Sequence, residues 1–185
     1  MVKNFQDMCC RRKGVSMQRF FVLMCCSVVL LLLVSACEGK EDDEVDLGVK
    51  FINELYNIDD SSFDVNKMNA EQLIDYQNKF STYFTEKEFN NLANKRFFLI
   101  PQEVVSKQDN EIFVQNIVLK KADRGQKENN SIDFDLSFTL IFMNNEGENV
   151  DETEIKGQMS IVNTEKGLKI DRYYDGEILN DMLYR

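Results

Sequence analysis

Side chains able to carry chemistry are few in this chain, and their types decide more than their number. Histidine and tryptophan are absent, and the five cysteines are Cys9, Cys10, Cys25, Cys26 and Cys37. Without imidazole there is no Ser–His or Cys–His nucleophile pair and no HExxH zinc helix. No thiol follows position 37, so the remainder can form neither an internal disulfide nor a thiolate metal site, and no metal or cofactor is expected. Carboxylates and phenols remain. Their densest set is Asp171, Tyr173, Tyr174, Asp175 and Glu177. An aspartate can act as a base and a tyrosine as a donor where burial shifts their pKa values. The simpler role for the set is a solvated strand end with one tyrosine in the core. Two-residue alternation predicts that Tyr174 points inward with Ile170, while Asp171 and Tyr173 face the other way. Asp133 and Asp135 lie on the outer face of the strongest predicted strand. Asp133, Asp135, Asp171 and Tyr173 are therefore the candidate ligand or partner surface, unless they only keep the sheet soluble.

The other chemistry-bearing residue is Cys37. It ends the segment Val34-Ser35-Ala36-Cys37, which follows a charge-free run of 17 residues, Phe20 to Ala36, with Arg19 in front. A basic start, an apolar stretch and small residues before a cut are the parts of an export signal. Val34, Ser35, Ala36 and Cys37 resemble the lipobox of bacterial lipoproteins. That resemblance implies cleavage before Cys37, acylation of its thiol, and a domain held by lipid on the outer side of a cell membrane or outer membrane. The competing reading is an uncleaved transmembrane helix, for which 17 residues is at the short end. On the lipoprotein reading, residues 1–36 are a signal peptide, 37–44 an anchored acidic tether and 45–185 one α+β domain. Lys13-Gly14-Val15 can be encoded by a ribosome-binding-like sequence, which would make Met17 the true start.

Charge sharpens the partner classes. Of 22 basic and 32 acidic residues, five basic and one acidic fall in the first 36, which leaves residues 37–185 a formal charge of −14. Such a domain repels nucleic acid and suits a basic protein or peptide.

The elements that must position these residues divide into helices and then strands. Val45, Val49, Ile52 and Leu55-Tyr56 recur at helical steps, predicting a helix over 45–58, with Asp59-Asp60-Ser61-Ser62 as its break. Asn69 with Gln72 forms a capping box for a second helix, and Thr85 with Glu88 repeats the pattern for a third ending near Asn94. Pro101 is predicted to close the helical region. Ile112 to Lys121 reads as a strand buried on both faces. From Ile132 to Phe142 apolar residues alternate with Asp133, Asp135, Ser137 and Thr139. Ile155, Gly157, Met159 and Ile161 make the next inward face, and Asn163 to Gly167 a hairpin into Leu168 and Ile170. The last eleven residues are left as a short helix or an edge extension.

Helices followed by antiparallel strands imply an α+β fold, N-terminal helices packed on a curved antiparallel sheet. This element order, with Tyr83 to Phe89 at the second-to-third helix junction, resembles the NTF2-like superfamily; a cystatin-like arrangement is the alternative. The resemblance implies a concavity between sheet and helices, and it allows a homodimer through the sheet. NTF2-like enzymes pair carboxylates with histidine, which this chain lacks. Two functions stay open. One is a non-enzymatic envelope binding or accessory module, of immunity or exclusion type. The other is an envelope enzyme or small-ligand-binding protein built on carboxylates and tyrosines.

Overall fold

The alternating segment at 132–142 is the centre of the molecule. A computed structural model describes residues 39–58, 64–123, 131–176 and 178–183. Residues 42–185 form one compact unit; of residues 1–41, which group separately, only 39–41 are described. The fold is α+β. Among the described residues, five helices pack against an open four-stranded antiparallel sheet: α1 (Gly39–Tyr56), α2 (Ala70–Asn78), α3 (Glu86–Asn94), α4 (Ile100–Gln108), β1 (Glu111–Lys121), β2 (Ser131–Met143), β3 (Asn149–Thr164), β4 (Gly167–Tyr174) and α5 (Ile178–Leu183). The strands follow chain order, β1-β2-β3-β4.

Period-2 patterning sends Phe134, Leu136, Phe138, Leu140 and Phe142 of β2 into the core, beside Ile155, Met159 and Ile161 of β3. The buried stripe of α1 is Phe51, Ile52, Leu55 and Tyr56, against which these strand residues pack. At Gly48 a Cβ would meet the side chains of Leu119 and Met159, which would have to shift to admit it. Both capping residues accept a backbone N–H, and at Asn69 the box is complete. The Asn69 side chain accepts from Gln72 N at 2.9 Å while Gln72 Oε1 accepts from Asn69 N at 3.0 Å. Thr85 accepts from Glu88 N at 3.4 Å.

Four sequence expectations need correction. Helix α1 begins at Gly39, so residues 39–44 are helical and Glu44 is buried, whereas a solvated tether was predicted there. Pro101 sits in the first turn of α4 and starts a helix. Its missing N–H costs nothing at that position, so the residue that looked like a stop is an N-terminal signal. Strand β1 is an edge, not a doubly buried strand: Ile112 is buried, but Val118 is 53% exposed. Its register slips between Gln115 and Val118, where Asn116 takes a left-handed φ of 55°, and the slip ends the inward phase set by Ile112.

The fourth correction concerns β4. Ser160 pairs with Arg172 and Ile161 with Ile170, so Asp171 is an extra residue in the ladder. A one-residue bulge exchanges the two faces of everything after it. Tyr173 is therefore 5% exposed and Tyr174 52% exposed, the reverse of the simple alternation. The break at 59–62 lies outside the described residues.

Past the bulge the chain crosses β3 at Gly157. A Cβ there would meet the carbonyl oxygen of Tyr174 and the Cα of Asp175. Because those are backbone atoms, they cannot yield as a flexible side chain could. Gly157→Ala should therefore lower stability by about 1–3 kcal/mol, the usual cost of overpacking. A reduced urea midpoint at unchanged slope would show it; an unchanged midpoint would mean that the crossing is looser than the structure has it.

Candidate functional site

The crossing delivers Asp175 to the core side of the sheet. Gly176, at φ 79°, then turns the chain into α5. Tyr56 is the last residue of α1 and continues its buried stripe, one helical turn after Ile52. The two residues meet. The Tyr56 hydroxyl donates to Asp175 Oδ2, and the carboxylate-bearing residue is only 7% exposed. A buried acid without such a donor would carry a large desolvation cost. The Tyr173 hydroxyl lies 3.4 Å from that of Tyr56. Since Tyr56 commits its one proton to Asp175, it is the acceptor of this longer and weaker contact.

Aromatic neighbours hold the phenols. Tyr56 packs on Phe138 with ring centres 5.1 Å apart. Tyr173 meets Phe51 edge-on at 5.0 Å and Phe97 at 5.5 Å. The backbone of Tyr173 is fixed as well, because its N–H donates to Glu88 Oε1 at 3.0 Å. Glu88 thus completes only half of the expected capping box. Its backbone N–H binds Thr85, but its buried carboxylate reaches across to β4 and ties α3 to the site.

Around this group is a cavity of about 230 Å³. Tyr56 and Asp175, both buried, are among the residues that line it. Phe97, Ile100 and Pro101 from the α3–α4 junction, with Leu179 of α5, give an apolar wall. Lys95, an exposed residue, and Asn180 complete the lining. The junction is bent sharply enough to make a wall because Arg96 adopts a left-handed conformation at φ 58°, and its guanidinium pairs with Glu103 at 2.6 Å.

Burial, and then the Asp175 carboxylate, raise the Tyr56 and Tyr173 hydroxyls well above the ordinary phenol pKa. At neutral pH both are donors, and neither can serve as a tyrosinate base. Tyr83 is a milder case outside the cavity. Partial burial, followed by its 2.5 Å bond to Glu54 Oε2, raises it to about 12. Among the described residues no group of three or more acids and thiols converges as a metal site.

The structure divides the four residues predicted as one surface. Tyr173 belongs to the interior, as the bulge requires. Asp133 is also buried, accepting from Ser160 Oγ at 2.5 Å and lying 3.8 Å from Arg172 Nη2. Asp135 is exposed, and so is Asp171, which accepts from Thr85 Oγ1 at 3.1 Å. Asp175, singled out in sequence beside Tyr173, is the acid the fold brings to the cavity. Tyr56 was missed because it reads as one more apolar residue of a helical stripe, 119 positions from its partner. Glu177 and the segment Val34-Ser35-Ala36-Cys37 lie outside the described residues.

No protein-family model matches the sequence, and no curated protein matches it. A solved structure described as a periplasmic fragment of TraM aligns over 73% of this chain and 96% of that one, with 13% identity and a TM-score of 0.47.

The raised phenols set an alkaline limit on stability. Each holds its proton more tightly in the folded chain, so its contribution is complete below the ordinary phenol pKa of about 10 and disappears as pH climbs toward the folded values. Urea midpoints should be flat from about pH 7 to 9 and fall above about 10. Tyr173→Phe should make that fall shallower; a curve parallel to the parent's would remove Tyr173 from this account.

Proposed function

We propose that the protein is a lipid-anchored binding module on the outer side of a bacterial membrane, acting through its folded domain and not through catalysis. The observation that carries the anchor is Val34-Ser35-Ala36-Cys37 at the end of the charge-free run from Phe20. The small pair admits a peptidase, and the thiol after it is the acylation atom. Two or three acyl chains hold a protein stably where one does not. Among the described residues no helix is long and apolar enough to cross a membrane.

The site supports binding over catalysis. General acid–base work at neutral pH needs a group that exchanges its proton near that pH. Both phenols of the cluster, Tyr56 in the cavity lining and Tyr173 behind it, are displaced upward, away from neutral pH, and both are held by aromatic packing. Their geometry suits fixed donors, Tyr173 to Tyr56 and Tyr56 to Asp175. The formal charge of −14 over residues 37–185 favours a cationic occupant.

Mass and fractionation of a Cys37→Ala variant test the anchor. The parent should appear in membranes as a chain cut before Cys37 with an added lipid mass. Cys37→Ala should lose that mass and remain unprocessed. If parent and variant both stay in membranes at the same uncleaved mass, the anchor is a transmembrane helix and the lipoprotein assignment fails.

A further inference from the structure

The sheet has two faces, and the core occupies one of them. Residues directly opposite each other on neighbouring strands point to the same side. Ile112 and Phe142 are such a pair and both are buried in the core, so the next row, Phe113–Ile141–Glu152, points to the other face. Glu111–Met143, Gln115–Thr139–Glu154 and Val118–Ser137–Lys156 lie in that outer face as well. Phe113, Ile141 and Met143 are half-buried, and Val118 is 53% exposed. Among the described residues, none of these four belongs to the core cluster or to the half-buried residues packed on it. We infer that this outer face is a docking site for a basic amphipathic helix of a partner polypeptide. The inference rests on the reading of the domain as a binding module for a cationic occupant and is independent of how the chain is anchored.

Polarity marks the face as a contact surface. An antiparallel face that meets only water is polar at alternate positions along each strand. Here Phe113 is paired with Ile141, and Met143 follows two residues on in the same face. Apolar residues that adjoin one another in this way, bordered by polar ones, are the mark of an interaction site.

Charge then selects the partner. Residues 108–115 hold two acids and residues 141–155 hold five, with no lysine or arginine in either segment. Glu111 on β1 and exposed Glu152 on β3 border the apolar row. The base in the face, Lys156, pairs with Glu154 at 2.9 Å. An apolar strip edged by acids matches an apolar stripe edged by lysine or arginine. The same acids oppose nucleic acid and an anionic bilayer.

Dimensions favour a helix over an extended segment. Four rows at about 7 Å spacing make a strip roughly 20 Å long, and three strands about 4.8 Å apart make it roughly 10 Å wide. A helix is about 10 Å across and rises about 1.5 Å per residue, so one of roughly 14 residues fills the strip. An extended segment needs an open sheet edge instead. The β1 edge is paired in part by Ile58 and ends in Lys120 and Lys121, which repel a basic strand.

A peptide of about 14 residues, with leucine and lysine at helical spacing, serves as the probe. Beside it run a shuffled peptide of the same composition and a version with glutamate in place of lysine. Binding would be read by fluorescence anisotropy on the full-length protein in zwitterionic nanodiscs, with the signal of empty nanodiscs subtracted. The helical peptide should bind, the shuffled one roughly tenfold or more weaker, and the acidic one not measurably. Glu152→Lys should weaken binding roughly tenfold and flatten its dependence on salt. Asp75→Lys, the same charge change at an exposed position of α2, should leave affinity within about twofold. Ile141→Ser should weaken binding with the salt dependence unchanged. A parent that ignores the helical peptide, or binds the shuffled one equally well, would overturn the inference. So would a loss of affinity no greater in Glu152→Lys than in Asp75→Lys. A dimeric parent that Ile141→Ser renders monomeric would also overturn it, because the face would then belong to a second copy. None of these readouts depends on lipid at Cys37 or on the cavity beside Asp175, so failure of this face is told apart from failure of the anchor or of the cavity.

Discussion

The arrangement depends on one buried acid being given a proton donor. Asp175 leaves water almost completely, and an ionised carboxylate in an apolar interior is tolerated only with hydrogen bonds to its oxygens. One such donor is Tyr56, which α1 holds at its final residue. The acceptor arrives from the far end of the sheet through three local devices in succession. The bulge at Asp171 turns Tyr173 inward, Gly157 leaves room for the strand to cross, and Gly176 allows the turn that follows. Each device has a cost of its own, in ladder hydrogen bonds, in side-chain packing or in backbone entropy. Together they bring two residues 119 positions apart into one bond.

The same devices decide what the site can do. A phenol whose pKa is raised keeps its proton, so burial removes the tyrosines from acid–base work while improving them as fixed donors. Phe51, Phe97 and Phe138 hold the rings by edge and tilted contacts, and Glu88 holds the backbone of Tyr173. The Tyr56–Asp175 pair is thus held in place by its neighbours where it lines the cavity.

The edges of the sheet show how the fold protects itself. Thr85 N donates to Ile170 O, and Ile170 N to Tyr83 O, so the segment before α3 covers part of the β4 edge. At the opposite edge Ile58 pairs with Ile112, and the Asn57 side chain accepts from Val114 N. Partial cover of both edges leaves fewer unpaired groups for another chain to join. At β4 that cover also places α3, and with it Glu88, beside Tyr173.

Much of this was legible from residue order. The faces of β2 and β3 follow from period-2 patterning, α2 and α3 from their capping residues, and the α+β class from helices preceding strands. The exclusion of imidazole chemistry follows from composition, that of thiol chemistry after position 37 from where the cysteines lie, and the lipobox-like segment at Val34 to Cys37 from four adjacent residues. Such signals are local, so they survive without a fold. What only the tertiary structure decided is non-local: that Tyr173 and not Tyr174 turns inward, that Pro101 begins a helix, that Asp133 is buried, and that Tyr56 meets Asp175. A bulge, a crossing at a glycine and a strand at the sheet's edge are properties of pairs of distant segments, and a pattern read along one segment carries no information about its partner.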